Sequence, residues 1–240
     1  MRSAPAGAAL AVLLALAALL LALPAPAAEG DCFDAVDLDK PVTLATVTGS
    51  ERVPFVKSAS TAAGCPGPAE SCCEKAYLVA GNTVLTGRAQ GAFVCATYVG
   101  AKGATRSGWL PRAALAEAPP AAPGLDDWAG TWNGGPEHRI RIARKGAGLA
   151  LSGDATYGAL DPDRVKRGAV NIGSFAVEAR PEGAALAFTD GEKGVVPRYS
   201  PDDYTACSLR MRLLPPFLLV ESNSACGGVN VSFTGLYRRG

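Results

Sequence analysis

Histidine is almost missing from this chain: His138 is the only one in 240 residues. Any Ser–His–Asp or Cys–His catalytic unit would have to run through that one position. It lies in Pro136-Glu137-His138-Arg139-Ile140, at the head of a strand-like segment, and the chain has no Gly-x-Ser-x-Gly elbow. A surplus of one charge is missing too, with 23 Lys+Arg against 22 Asp+Glu, which excludes bulk attraction to nucleic acid. Gly227-Gly228 lacks the Lys-Ser/Thr of a phosphate-binding loop. The acidic pairs Asp126-Asp127 and Asp202-Asp203 lack the spaced oxygen donors of a calcium loop and read as solvated turns, as does Asp161-Pro162-Asp163. Neither a catalytic site, a cofactor nor a metal is expected.

Long apolar runs are absent after residue 23. Before it, Arg2 supplies a positive charge and Ala8 to Leu23 is an unbroken series of Ala, Leu and Val. Pro24 and Pro26 interrupt the run, and Ala25-Pro26-Ala27 gives the small–x–small pattern read by a signal peptidase. Residues 1–27 are therefore expected to be a signal peptide cut after Ala27. Glu29-Gly30-Asp31 before Cys32 does not fit a lipoprotein signal. The mature chain is expected to be secreted or periplasmic, with no membrane span.

Seven cysteines without metal-ligand spacing are a disulfide framework in that setting. If Pro215-Pro216 turn the chain, Leu214 pairs with Phe217 and Cys207 comes within bridging distance of Cys226. Cys32, Cys65, Cys72, Cys73 and Cys95 cannot all pair among themselves, so one thiol stays free or joins two chains. Adjacent Cys72 and Cys73 point to opposite faces of an extended segment and should have different fates.

The mature chain divides at a Pro/Ala segment, Ala116 to Gly124, which reads as an extended linker centred on 118–124. It separates a module at 29–117 from one at 125–240. Short alternating runs, punctuated by Gly, Pro, Asn and Asp, make both modules all-β. In the first, strands are expected at Val42–Val47, Arg52–Val56, Ala76–Val79, Thr83–Thr86, Phe93–Val99 and Thr105–Leu110. Arg88–Gly91 and Gly100–Gly103 are expected connections. In the second, the segment Trp128–Trp132 is followed by strands at Arg139–Ala143, Leu149–Leu151, Ala169–Val177, Ala184–Phe188, Thr205–Leu213, Pro216–Glu221 and Asn230–Tyr237. About eight short strands with tight turns point to an up-and-down antiparallel barrel. The sequon Asn230-Val231-Ser232 falls in the last of them and is discounted. Aromatics flanking Gly130 and Gly235 fit first and last strands that pair to close it. One parity class, Ile140, Ile142, Leu149, Leu151, Leu186, Phe188, Leu209, Met211, Leu213, Val231 and Phe233, is expected to fill the interior rather than line a cavity.

Arginines are the main polar signal. Arg139 and Arg141 share one strand face, Arg210 and Arg212 share another, and Arg238-Arg239 follow the last strand. If barrel closure brings Arg139 and Arg141 beside Arg238, they form a cationic outer stripe for an anionic envelope polymer; the alternative is a solvated outer face.

Ala76-Tyr77-Leu78-Val79-Ala80-Gly81-Asn82-Thr83-Val84, Gly91-Ala92-Phe93-Val94-Cys95-Ala96-Thr97-Tyr98 and Ser107-Gly108-Trp109-Leu110-Pro111 are the strand, turn and Gly-Trp motifs that carry a family likeness. Over Lys75 to Ala116 the chain resembles a bacterial SH3-like domain. Ala92-Phe93 stand where that family often has Trp, and a cysteine-rich segment precedes Tyr77. The resemblance implies a small barrel whose aromatics, here Tyr77, Phe93, Tyr98 and Trp109, contact peptidoglycan or an envelope peptide. Gly130-Thr131-Trp132 resembles the start of lipocalin- and avidin-like barrels, an architectural likeness only. The expected role is a non-catalytic binding protein of the cell envelope. The alternatives are an inhibitor or accessory factor of an envelope hydrolase, and a carrier of a small apolar ligand in the second barrel.

Overall fold

The computed structural model describes residue 32 and residues 37–49, 51–100, 104–118 and 122–240. The expected signal peptide and its cleavage point, residues 29–31, the 101–103 connection and linker residues 119–121 lie outside the described residues.

The N-terminal part is a sheet of seven antiparallel strands that does not close. Its strands are β1 (Thr43–Val47), β2 (Val53–Val56), β3 (Cys73–Leu78), β4 (Thr83–Gln90), β5 (Phe93–Val99), β6 (Thr105–Pro111) and β7 (Leu115–Ala118). They run in the order β3-β2-β6-β5-β4-β1-β7, so β3 and β7 are the edges. Val47, Val53, Phe55, Leu78, Val84 and Leu110 alternate onto one buried face. Three expectations are corrected here. The small barrel implied by the SH3-like resemblance is an open sheet, because β3 and β7 stay unpaired with each other at its two ends. Arg88 to Gln90 continue β4 beyond a register shift between Thr86 and Ala89, rather than leaving the sheet. Ala116, Glu117 and Ala118 pair with β1 rather than belonging to a linker. Their side chains show no strand alternation, and it is the unpaired edge of β1 that recruits their backbone.

The C-terminal part is a nine-strand, nearly closed antiparallel barrel. A short helix, α1 (Leu125–Trp128), leads into β8 (Gly130–Asn133), β9 (His138–Lys145), β10 (Gly148–Tyr157), β11 (Asn171–Ala179), β12 (Ala185–Gly191), β13 (Gly194–Val196), β14 (Cys207–Leu214), β15 (Phe217–Ser222) and β16 (Gly235–Arg239). The order is β11-β10-β9-β8-β16-β15-β14-β12-β13. First and last strands do meet, with Arg238 opposite Asn133 and Arg239 opposite Trp132. The unladdered seam lies between β11 and β12. The ninth strand, unexpected from the sequence, is the three-residue β13 folded back on β12.

Three further readings change. Asp126-Asp127 lie in α1 rather than a turn. Asp161 caps a second helix, α2 (Pro162–Lys166), accepting from the amides of Asp163 and Arg164 at 2.9 and 3.2 Å. Asn230 to Thr234, the sequon included, are not strand. They end a strap, residues 223–234, that leaves β15, crosses the barrel end and returns as β16. Gly173 on β11 bridges Gly227 on the strap, and the Ser174 amide donates to the Cys226 carbonyl at 3.1 Å. Thus the strap covers part of the seam that the ladder leaves open.

The eleven residues assigned to the interior all lie in one buried cluster, which also takes Trp132, Phe175 and Tyr237. Phe175 packs on Phe188 and Phe233, with ring centroids 5.2 and 4.9 Å apart. Trp128 from α1 enters at the end where β8 begins, and Val231 and Phe233 enter from the strap. The barrel interior is a packed core.

Disulfides join Cys32 to Cys95, Cys65 to Cys72 and Cys207 to Cys226, and Cys73 is a free thiol. The last bridge ties the strap to the start of β14. Leu214 does pair with Phe217 across the Pro215-Pro216 turn. From Leu213 to Val220 the chain is apolar at every position except the two prolines, because both faces of this hairpin are covered. One face enters the barrel core. The other, Leu214, Phe217 and Leu219, packs on Leu38, Leu44, Leu85 and Val99 of the N-terminal part. Cys32 to Gly240 is a single compact unit.

Candidate functional site

The four aromatics singled out from the sequence have different environments. Trp109 on β6 is 1% exposed, and its indole nitrogen donates to Ser58 Oγ at 3.2 Å. Phe93 is buried with it in a cluster that includes both N-terminal disulfides. Tyr98 is half-buried against the N-terminal core. Only Tyr77 faces solvent, at 43% exposure, on edge strand β3. The guanidinium carbon of Arg52 sits 4.4 Å from its ring centroid. Val79, just past the strand, is also exposed. Among the described residues no strand pairs with the outer side of β3. This site therefore consists of a free backbone edge, one aromatic ring and a cation stacked on it. Arg52 escaped the sequence reading because its partner lies on another strand.

Arg88 supplies a second stacked cation, 5.1 Å from the Trp109 ring centroid. One of its terminal nitrogens, Nη2, is buried without a hydrogen-bond partner.

The arginines of the barrel are mostly engaged. Arg139 and Arg238 flank Asn133 on one outward row, and Arg139 Nε donates to Asn133 Oδ1 at 3.3 Å. Arg141 pairs with Asp154 at 2.8 Å. It edges a shallow outer depression of about 860 Å³ over Ala143, Ala150, Ser152 and Ala176. Arg210 and Arg212 stand away from these, against the turn at 37–40. Arg210 makes a two-pronged contact with Asp39 at 2.6 and 2.8 Å and also bonds Glu221 at 2.8 Å. Arg212 donates to the Leu38 carbonyl at 2.9 Å. Hydrogen bonds from Arg210 hold the Asp39 carboxyl below its usual range, and Asp39 in turn raises Arg210 further. Arg210 and Arg212 thus fasten the N-terminal turn to the barrel.

His138 opens β9 beside Glu137, Arg139 and Asp154 in a depression of about 220 Å³. The Glu137 carboxylate accepts from Thr156 Oγ1 at 3.1 Å and from the Ala159 amide at 2.8 Å, so it holds the β10–α2 connection. Among the described residues no three His, Cys, Asp or Glu side chains group as metal ligands, and no helix is long and apolar enough to cross a membrane.

No protein-family model, curated protein or solved structure matches the chain. The three disulfides themselves point to an oxidising, extracytoplasmic environment.

Proposed function

We propose that this protein is a non-catalytic binding protein of the cell envelope, secreted or periplasmic, that takes an extended peptide-bearing ligand along β3. The observation that carries the reading is the free edge of β3 with Tyr77 exposed beside it and Arg52 on the ring. An unpaired edge offers main-chain hydrogen bonds to an added strand, and side chains beside it select the ligand. Arg52 adds a positive charge suited to a carboxylate of that ligand. The SH3-like likeness of residues 75–116 fits this mode, with peptidoglycan peptides or an envelope protein as the partner. The filled barrel interior weighs against the carrier alternative, since a resident apolar ligand would have to displace Phe188 or Phe233.

Co-sedimentation with purified peptidoglycan sacculi tests this. The protein should pellet with sacculi free of other proteins, and Tyr77→Ala with Arg52→Ala should reduce the bound fraction at least tenfold. Equal pelleting of the variant would refute the assignment to β3.

A further inference from the structure

Where β12 and β14 run side by side, two alanines stand beside two arginines on the outside of the barrel. Ala185 lies opposite Arg212 and Ala187 opposite Arg210. Methyl groups on one strand next to long side chains on the other leave a hollow of about 280 Å³. Leu38, from the turn at 37–40, also lines it. So does Tyr199, from the connection between β13 and β14, whose ring centroid is 4.9 Å from the Arg210 guanidinium carbon. Arg180 and Glu182 reach it from the turn between β11 and β12. Reciprocal backbone bonds between Glu182 and Ala185, at 2.7 and 3.0 Å, fix that turn.

The hollow holds more hydrogen-bonding capacity than its surroundings use. Arg210 is neutralised by Asp39 and Glu221. Arg212 is not. It has five N–H groups and makes two bonds, to the carbonyls of Leu38 at 2.9 Å and Lys40 at 3.4 Å, with no carboxylate in ion-pair contact. Among the described residues, the Arg180 guanidinium, the Glu182 carboxylate and the Tyr199 hydroxyl have no hydrogen-bond or ion-pair partner. Burial raises the Tyr199 phenol above its ordinary range, so at neutral pH it keeps its proton and can donate.

We infer that this hollow binds a small zwitterion of the α-amino acid class. A plain anion would meet Glu182, and a plain cation would meet Arg180 and Arg212. A molecule with both charges answers all three. Its carboxylate takes the donors of Arg212, Arg180 and Tyr199, its ammonium takes Glu182, and its carbon skeleton lies over Ala185 and Ala187. The volume sits just under the range of pockets for drug-sized molecules, about 300–1,000 Å³, which restricts the ligand to a small one. The site goes beyond the β3 reading and shares no residue with it.

Amide chemical-shift titration of the intact protein with the common amino acids, in both enantiomers, tests this. Acetate and ethylamine serve as single-charge controls. At least one amino acid should give saturable shifts at Ala185, Ala187, Tyr199 and Arg212, and neither control should do so at the same concentration. Arg180→Gln and Glu182→Gln, both at exposed positions, should each weaken that binding about tenfold, the worth of one charge-assisted hydrogen bond. The inference is overturned if no amino acid gives saturable shifts at these four positions, or if acetate saturates them equally. Tighter binding by Glu182→Gln would overturn it too, since that marks a plain anion site. Saturable shifts confined to residues 73–79 would leave the β3 reading standing while this one fails.

Discussion

Gly173 and Gly227 meet where the strap crosses β11, and neither has room for a side chain. A Cβ on Gly173 would lie 2.5 Å from the Cys226 carbonyl oxygen, and one on Gly227 would strike the Cα of Gly173. Gly173→Ala should cost about 1–3 kcal/mol in chemical denaturation, as overpacking does. Gly87→Ala, with nothing within 4 Å of the new atom, should stay within about 0.5 kcal/mol. Tyr237 makes a different demand. Its buried hydroxyl donates to the Phe233 carbonyl at 2.8 Å, and burial pushes its phenol well above the usual range. A folded-state value above the unfolded one of about 10 leaves its contribution intact below that pH and removes it as pH rises further. Tyr237→Phe should therefore lose about 1 kcal/mol at neutral pH but decline less steeply above about pH 10. Denaturation midpoints across that range would show it. The interior residues were legible because alternation assigns a face without knowledge of the partner strand. The glycine crossing was not, because Gly227-Gly228 looks like any loop until the strand beneath it is placed.

Among elements, β5 carries the same bounds in the sequence reading and the structure, since Gly91 and Gly100 flank a clear β-rich run. The end of the strap, residues 230–234, reads as strand in the sequence because Val231 and Phe233 alternate with Ser232 and Thr234, the period a strand would show. Here that alternation serves to push two side chains down into a barrel end. Likewise β7 was hidden by an Ala/Pro composition. The Cys207–Cys226 bridge was legible through chain geometry alone, with the Pro215-Pro216 turn at the middle of the closed segment. Replacing both cysteines with serine should destabilise the protein by roughly 3 kcal/mol in the chain-entropy account. The effect should be local before it is global. Hydrogen exchange should quicken at the amides of Ser174 and Gly228, which bond across the strap, and hold at the β9–β10 ladder. Uniform acceleration of both regions would contradict the strap's role.

For the whole molecule, the interface between the two sheets was the least legible feature. Its signal was present in the unbroken apolar stretch around Pro215-Pro216, which a strand with one solvated face would not show. The aromatic site was legible only in part. Composition and motif gave Tyr77, Phe93, Tyr98 and Trp109 equal standing, whereas topology leaves one of them outside, on an edge, beside Arg52. The same topology separates Arg210 and Arg212 from Arg139 and Arg141 by fastening the first pair to the turn at 37–40. What the account claims above all is that recognition runs along the edge of β3. Amide chemical-shift mapping with purified peptidoglycan stem peptides as titrant measures this most directly. The account predicts saturable shifts concentrated on residues 73–79 and on Arg52, lost in Tyr77→Ala. Saturable shifts confined to the barrel, with residues 73–79 unmoved, would contradict it.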